Sequence, residues 1–165
     1  MDQFEKPKPT PEYLLSSPEV DIKQFAELSN IQLLSLLALR YDVFVREQRS
    51  IFDEYDGHDT AATHLLIEDK DQVVAYARAY QETPDTAVIG RVAVAQEYRG
   101  QGLARQVVAQ AIAAVRNMDG VQNINIAAQT YLQPFYESFG FVPTSEPYDD
   151  EGVLHTKMSL SLQQK

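Results

Sequence analysis

Apolar and polar positions along the chain change period several times, and each change marks an element. Residues 20–25 (Val-Asp-Ile-Lys-Gln-Phe) alternate, the period-two pattern of a half-buried strand. From 31 to about 45 the apolar side chains Leu33, Leu34, Leu37, Tyr41, Phe44 and Val45 recur at helical spacing, and Ser29 stands where an N-cap is needed. The pattern then collapses over 50–63 into an acidic loop. Strands are predicted next over 64–68, 73–81 and 86–95, joined through polar turns at 69–72 and 82–85. Gly100-Gln101-Gly102 interrupts the pattern. A helix follows over 103–118, with Leu103, Val107, Val108, Ala111, Ile112 and Val115 along one face and Asp119-Gly120 at its end. A strand over 121–127, a short helix over 132–139 stopped by Gly140, and strands over 141–142 and 153–160 complete the set.

Helices and strands interleave, yet the middle strands are joined by hairpins. That combination predicts an α/β fold of the α+β mixed-sheet kind, with one strand–helix–strand crossover around Gly102. Residues 1–19 stand apart because they hold four of the eight prolines, Pro7, Pro9, Pro11 and Pro18. Proline forbids helix interiors and removes backbone donors, so this segment reads as an extended N-terminal arm and 20–165 as a single domain. Phe4, Tyr13, Leu14 and Leu15 are the arm's means of packing on that domain.

Composition narrows the function classes. Hydrophobic residues at 44% and charged residues at 23% belong to a soluble globular chain with a real core. The net charge of −10 leaves no dominant basic surface, which argues against nucleic acid and against an anionic membrane as partners. Absence of cysteine excludes disulfides, thiolate zinc sites and a cysteine nucleophile, and fits a reducing compartment. The start of the chain has no apolar run of the signal-peptide kind, and 31–39 is too short to span a bilayer; a cytoplasmic location is expected.

The chemistry concentrates around 88–105. A strand ends near Ala95, a loop carries Gly100 and Gly102, and a helix begins at Leu103. Glycine permits left-handed dihedrals and close approach of a ligand to the backbone. The N–H groups of the loop and first helical turn converge where the helix dipole is positive, forming an anion nest suited to a pyrophosphate. Arg99 and Arg105 bring cations to the same region. The Walker pattern is absent, and the dinucleotide fingerprint fails because Arg105 stands where its third glycine belongs. The competing reading is a strand–helix turn that happens to contain two glycines. Further on, in Phe135-Tyr136-Glu137-Ser138-Phe139-Gly140-Phe141, Tyr136 lies one turn before a helix-ending glycine. A protonated phenol can donate to a departing alkyl thiolate; a packed core tyrosine is the alternative.

Together, Arg99-x-x-Gly102-x-Ala104, a helix, a strand, and Tyr136-x-x-x-Gly140-Phe141 resemble the GNAT superfamily of acyl-CoA-dependent N-acetyltransferases, over about residues 20–160. The segment from Leu39 to Gln48, the following Asp-Glu-Tyr-Asp-Gly stretch and His64-Leu65-Leu66 look more narrowly ElaA-like. The resemblance implies a mostly antiparallel central sheet splayed open in a V, with flanking helices and with acetyl-CoA in the cleft. It implies that the main chain of Val92, Ala93 and Val94 pairs with the pantetheine amides. The loop Arg99, Gly100, Gln101, Gly102, Leu103, Ala104 and Arg105 would wrap the pyrophosphate, and Tyr136 would lie near the thioester sulfur. The implied reaction is direct acetyl transfer to a primary amine of a small molecule or peptide, by a monomer or homodimer. A non-catalytic acyl-CoA sensor or interaction module on the same fold is the alternative, kept open because the fourth strand offers Arg91 where many GNAT enzymes carry a glutamate.

Base duty is therefore open among water, Glu47 and a histidine. Glu47 lies late in the first helix, where an ion pair with Arg46 or Arg49 competes with the catalytic reading. His64 and His155 are candidates for the acceptor end of the cleft, each also readable as a satisfied sheet histidine. Among His58, His64 and His155 no pair has metal-ligand spacing, and no metal is expected. The acidic run 53–59 fails as a calcium loop, since Phe52 and Thr63 fall at ligand positions; an amine-attracting rim and a solvated loop remain. Arg78 and Arg91, if both face the cleft, point to an acceptor carrying a carboxylate or phosphate.

Overall fold

The structure is a computed structural model that describes residues 10–49 and 54–162. In chain order the elements are β1 (Asp21–Gln24), α1 (Asn30–Arg40), β2 (Thr63–Asp69), β3 (Gln72–Thr83), β4 (Thr86–Val94), α2 (Leu103–Arg116), β5 (Asn123–Gln129), α3 (Gln133–Glu137), β6 (Val142–Pro143), β7 (Tyr148–Asp150) and β8 (Val153–Ser161). The strands form one sheet in the order β1–β2–β3–β4–β5–β8–β6, with β7 paired to β8 off that path. Every pairing is antiparallel except β4 with β5, the parallel pair that the α2 crossover requires.

The two halves of the sheet are covered differently, and this difference positions the site. In β2 the run 63–67 and in β3 the run 73–79 are buried without a break, because helices pack on both faces. Leu65, Ile67, Ala75 and Ala77 meet the α2 stripe of Leu103, Val107, Val108, Ala111 and Val115. Leu66, Tyr76 and Ala93 face Leu36, Leu39 and Val43 on the α1 side. Each fully buried leucine or valine contributes about 1.5–3 kcal/mol, so these layers carry much of the stability. Along β5 and β8, by contrast, burial alternates: Ile124, Ile126, Ala128, Met158 and Leu160 are in the core, while Asn125, Ala127, Gln129, His155 and Lys157 face outward. One face of this half-sheet is uncovered.

Within the arm the described residues begin at Thr10. Tyr13 and Leu15 pack on the core, and Tyr13 meets Tyr98 edge-on at 5.2 Å, whereas Leu14 is exposed. Phe4, Pro7 and Pro9 fall outside the described residues. The first helix differs from its expected course: after Arg40 it widens into a π-helix over Tyr41–Glu47, with Gln48 N–H donating to Val43 O. Helical periodicity carries no signal for such a widening; tertiary contacts of Arg40, Val43 and Glu47 select it. β7 was not expected either, because Tyr-Asp-Asp is short and does not alternate. Among the described residues no helix is long and apolar enough to cross a membrane.

Candidate active site

β4 and β5 run side by side only from Thr86↔Asn123 to Val88↔Asn125, and then part. On the other edge of β4 the register with β3 slips between Tyr76↔Ala93 and Arg78↔Gly90, leaving an extra residue on β4. Arg91 sits in this bulge with φ +53°, and a bulge both bends and twists its strand. The parting opens a cleft with an apolar floor of Ile89, Val92, Ile126, Ala128 and Leu132. Its polar lining comes from Gln48, Arg91, Gln129, Asp150, Glu151 and His155.

Tyr136 lines this cleft with its side chain only 6% exposed. Its ring is held edge-on by Phe135 at 5.0 Å and Phe141 at 6.1 Å. No protein group among the described residues hydrogen-bonds its hydroxyl. Burial, with a smaller contribution from Tyr131, pushes the phenol well above its ordinary range, so it remains a proton donor at neutral pH.

At the far end of β4 the glycine loop leads into α2. Gly100 and Gly102 adopt φ +86° and +83°, and Gly102 caps α2 without a side-chain hydrogen bond. A Cβ built on Gly102 meets nothing within 4 Å, so the loop's outer surface is open beside the unpaired N–H groups of the first helical turn. Leu103 and Ala104 turn their side chains into the core, leaving main chain for a ligand.

The longer side chains of the loop take three different positions. Arg99 is not a cation on the outer surface: it is buried, its Nη1 and Nη2 donate to Glu47 Oε2 and Oε1 at 2.6 and 2.7 Å, and its Nε donates to Val94 O at 2.9 Å. Gln101 faces the arm, accepting from Leu15 N and donating to Tyr13 O and Tyr98 O, each at 2.9 Å. Arg105 is exposed but lies over the rings of Phe135 and Phe139 at 5.2 and 4.9 Å. The same bidentate pair corrects the reading of Glu47. Its carboxylate binds Arg99, not Arg46 or Arg49, and borders a groove with Asp42, Arg46 and Glu97 outside the cleft. Arg46 pairs with Asp42 instead. Glu47→Gln is expected to lower stability by about 1–3 kcal/mol, since it leaves the buried Arg99 guanidinium without its counter-charge. Thermal melts check this, and an unchanged midpoint would show that the pair adds nothing.

With the cleft, the phenol and the glycine loop in place, comparison with known proteins decides the family. The acetyltransferase (GNAT) domain matches residues 41–162. Protein ElaA of Escherichia coli K12 is 37% identical over 138 residues, covering 81% of this chain and 90% of that protein. The chain belongs to the GNAT acetyltransferase family. The crystal structure of E. coli ElaA superposes with a TM-score of 0.80 at 35% identity, over 87% of this chain and 99% of that one. An acyl-CoA N-acyltransferase from Pseudomonas aeruginosa superposes with a TM-score of 0.81 at 33% identity, over the same shares. A UPF0039 protein of Schizosaccharomyces pombe is 33% identical over 150 residues, 90% of this chain and 100% of that protein. The expected fold and the ElaA-like kinship both hold.

Within this GNAT domain the acceptor-side residues divide sharply. Arg40, fully buried at the end of α1, donates from Nε to Glu54 Oε2 and from Nη1 to Asp59 Oδ1 at 2.9 Å. Arg78, buried on β3, binds Asp56 and reaches Asp59 Oδ1 at 2.8 Å. Arg91 contacts Glu54 and Asp56 at 3.4 Å. Three arginines and three carboxylates thus interleave between α1, β3 and β4. Burial alone would raise the Asp56 carboxyl, but the Arg78 hydrogen bond and charge outweigh it and hold it down at about 2. The acidic run is therefore neither a free rim nor a solvated loop; Asp53 lies outside the described residues. Arg78 does not line the cleft, and its Nη1 and Nη2 are taken up by Asp56 and Asp59. Arg91 does line the cleft, with its charge countered.

His64 is likewise interior. Its Nε2–H donates to Asp59 O at 2.9 Å, and Nδ1 accepts from the Tyr76 hydroxyl at 2.7 Å. Burial depresses its basicity, so it stays neutral. His155 alone of the two lines the cleft. Sequence reasoning missed Gln48, Gln129, Asp150 and Glu151 as cleft residues. Gln129 Nε2 donates to Gln48 Oε1 at 2.8 Å, tying the end of β5 to the end of the π-helix. No local pattern marks a pair separated by 81 positions.

Proposed function

We propose that the protein transfers an acetyl group from acetyl-CoA to a primary amine of a small molecule or peptide by direct attack within the β4–β5 cleft. Family membership supplies the acyl-CoA-dependent acyltransferase chemistry; the donor and acceptor are the proposal. The observation that carries it is the conjunction of parted parallel strands, a phenol projecting between them without a protein partner, and an open glycine loop at the strand's end.

In this reading the main chain of Val92, Ala93 and Val94 runs beside the pantetheine arm, beyond the point where β5 departs. The main-chain amides from Gly100 to Arg105 receive the pyrophosphate, while Arg99 and Gln101 act from behind by holding the loop to Glu47 and to the arm. The amine nitrogen forms a bond to the acetyl carbonyl carbon, the C–S bond breaks, and the Tyr136 hydroxyl protonates the departing thiolate. The surplus proton on the new amide nitrogen returns to the phenolate through solvent. Much of the acceleration comes from holding amine and thioester together.

Gly102→Val tests the co-substrate site. The new side chain projects outward without an internal clash, although the left-handed backbone carries a strain of about 1–2 kcal/mol. The variant is expected to fold, with a lower melting point, and to lose most of the stabilisation that acetyl-CoA confers on the wild type. A folded variant with an undiminished acetyl-CoA shift would remove the loop from the site.

A further inference from the structure

His155 stands on the uncovered face of β8, opposite Gln129 of β5 and Tyr148 of β7 in register, and lines the cleft together with Tyr136. Its Nδ1 lies 2.9 Å from the carbonyl oxygen of Val153. A carbonyl only accepts, so Nδ1 carries the hydrogen and Nε2 keeps its lone pair. Among the described residues no protein group hydrogen-bonds Nε2. Glu47, His64 and His58 are engaged elsewhere. Glu47 holds Arg99 through both oxygens, both nitrogens of His64 are bonded, and His58 stacks on Tyr80 at 3.9 Å, apart from the cleft lining.

The charges facing His155 come from every side of the cleft. Asp150, the last residue of β7, and Glu151, in the turn to β8, line it directly. Arg91 of β4 is countered by Glu54 and Asp56, and Lys157, next outward on β8, points its Nζ over the Tyr148 ring at 5.9 Å. Tyr136 and Tyr148 are the neighbouring phenols, and Gln48 and Gln129 are neutral. The balance at this end of the cleft is negative, which draws in a cation.

We infer that His155 is a catalytic base, taking a proton through Nε2 from a cationic primary amine that seats beside Asp150 and Glu151; this rests on the acyl transfer proposed above. The amine enters as an ammonium ion, His155 removes one proton, and the neutral nitrogen attacks the acetyl carbonyl. The imidazolium then releases its proton to water, while Tyr136 serves the thiolate.

The test uses the full-length protein with acetyl-CoA and two cationic amines, spermidine and lysine methyl ester, and with aspartate as a carboxylated comparison. Nitrogen-15 spectra of the imidazoles, assigned by difference against His155→Gln, are expected to show the Nδ1–H form; an Nε2–H form overturns the assignment. His155→Gln is expected to keep the wild-type thermal shift with acetyl-CoA, which also reports folding. With spermidine its kcat should fall about 100-fold or more. Asp150→Asn combined with Glu151→Gln should raise KM for spermidine with kcat little changed. A His155→Gln rate within threefold of wild type, or faster turnover of aspartate than of spermidine, overturns the inference. Wild-type protein that binds acetyl-CoA yet releases no CoA with either cationic amine overturns it too, leaving the co-substrate site standing. Absence of acetyl-CoA binding brings down the proposed function itself.

Discussion

Tyr136→Phe is expected to lower kcat about 10²–10⁴-fold while acetyl-CoA affinity stays near the wild-type value. The change keeps the ring, and with it the edge-on contacts to Phe135 and Phe141 that hold the helix end in place. It removes one hydroxyl that no described protein group satisfies, so no new orphaned partner is created and folding should be unaffected. Burial keeps this phenol protonated across the working range, so its role is donation to a thiolate rather than abstraction of a proton. A donor needed only as the C–S bond breaks acts on the transition state more than on the bound complex. The signature is a parallel fall in kcat and kcat/KM with unchanged binding, measured by CoA release with the best amine from a screen. Normal turnover by Tyr136→Phe would mean that the phenol only packs and that water protonates the thiolate.

Arg40→Met is expected to lower folding stability by about 3–5 kcal/mol, the usual cost of removing one partner from a buried ionic cluster. Methionine fills much of the volume, so the loss comes from charge: Glu54 and Asp59 keep their place near the interior without the guanidinium that bonds both. For a chain of this size each kcal/mol corresponds to roughly 2–4 °C, so melting should fall by about 6–20 °C. A shift of a degree or less would show that desolvating the cluster costs as much as its pairing returns. The same cluster sets the acid behaviour. Arginine partners outweigh burial to hold Asp56 at about 2 and Asp59 below its ordinary range. Folded-state pKa values below the unfolded ones give stability that is fully present above about pH 4 and lost as pH falls toward 2, which melts at graded pH will follow. His64, depressed by burial, adds to the acid loss because the unfolded chain takes up that proton first.

The buried cluster also shows where sequence reading stopped short. Arg40 falls four residues after Leu36 and three before Val43, on the buried stripe of its helix, and an acidic run follows within twenty positions. A cation on an apolar stripe with carboxylates nearby is a signal for a buried ion network. Arg78 and Arg91, by contrast, stand on strands, where sequence alone reads them as acceptor ligands. Arg99 is a similar case. Its place beside two glycines marks a phosphate loop, but only the approach of the π-helix, 52 positions earlier, turns its guanidinium inward to Glu47.

Local pattern was enough for whatever depends on neighbours along the chain. The strands β2 to β4, the α2 stripe, the Ser29 cap and the left-handed glycines ahead of α2 follow from residue chemistry within a turn or a strand, and all are present. The family followed from the same stretches, because the glycine loop and the tyrosine helix are each contiguous. What tertiary structure decided was which side chain each charge would meet. Glu47 with Arg99, Gln129 with Gln48, Gln101 with the arm, and Arg40 and Arg78 with Asp59 join residues 19 to 88 positions apart. Coulombic and hydrogen-bond partners are chosen by distance in space, and periodicity carries no information about that. The cleft obeys the same rule. Its position depends on a bulge at Arg91 and on the parting of β4 from β5, and its polar end is built by β7, whose three residues show no pattern until they pair with β8.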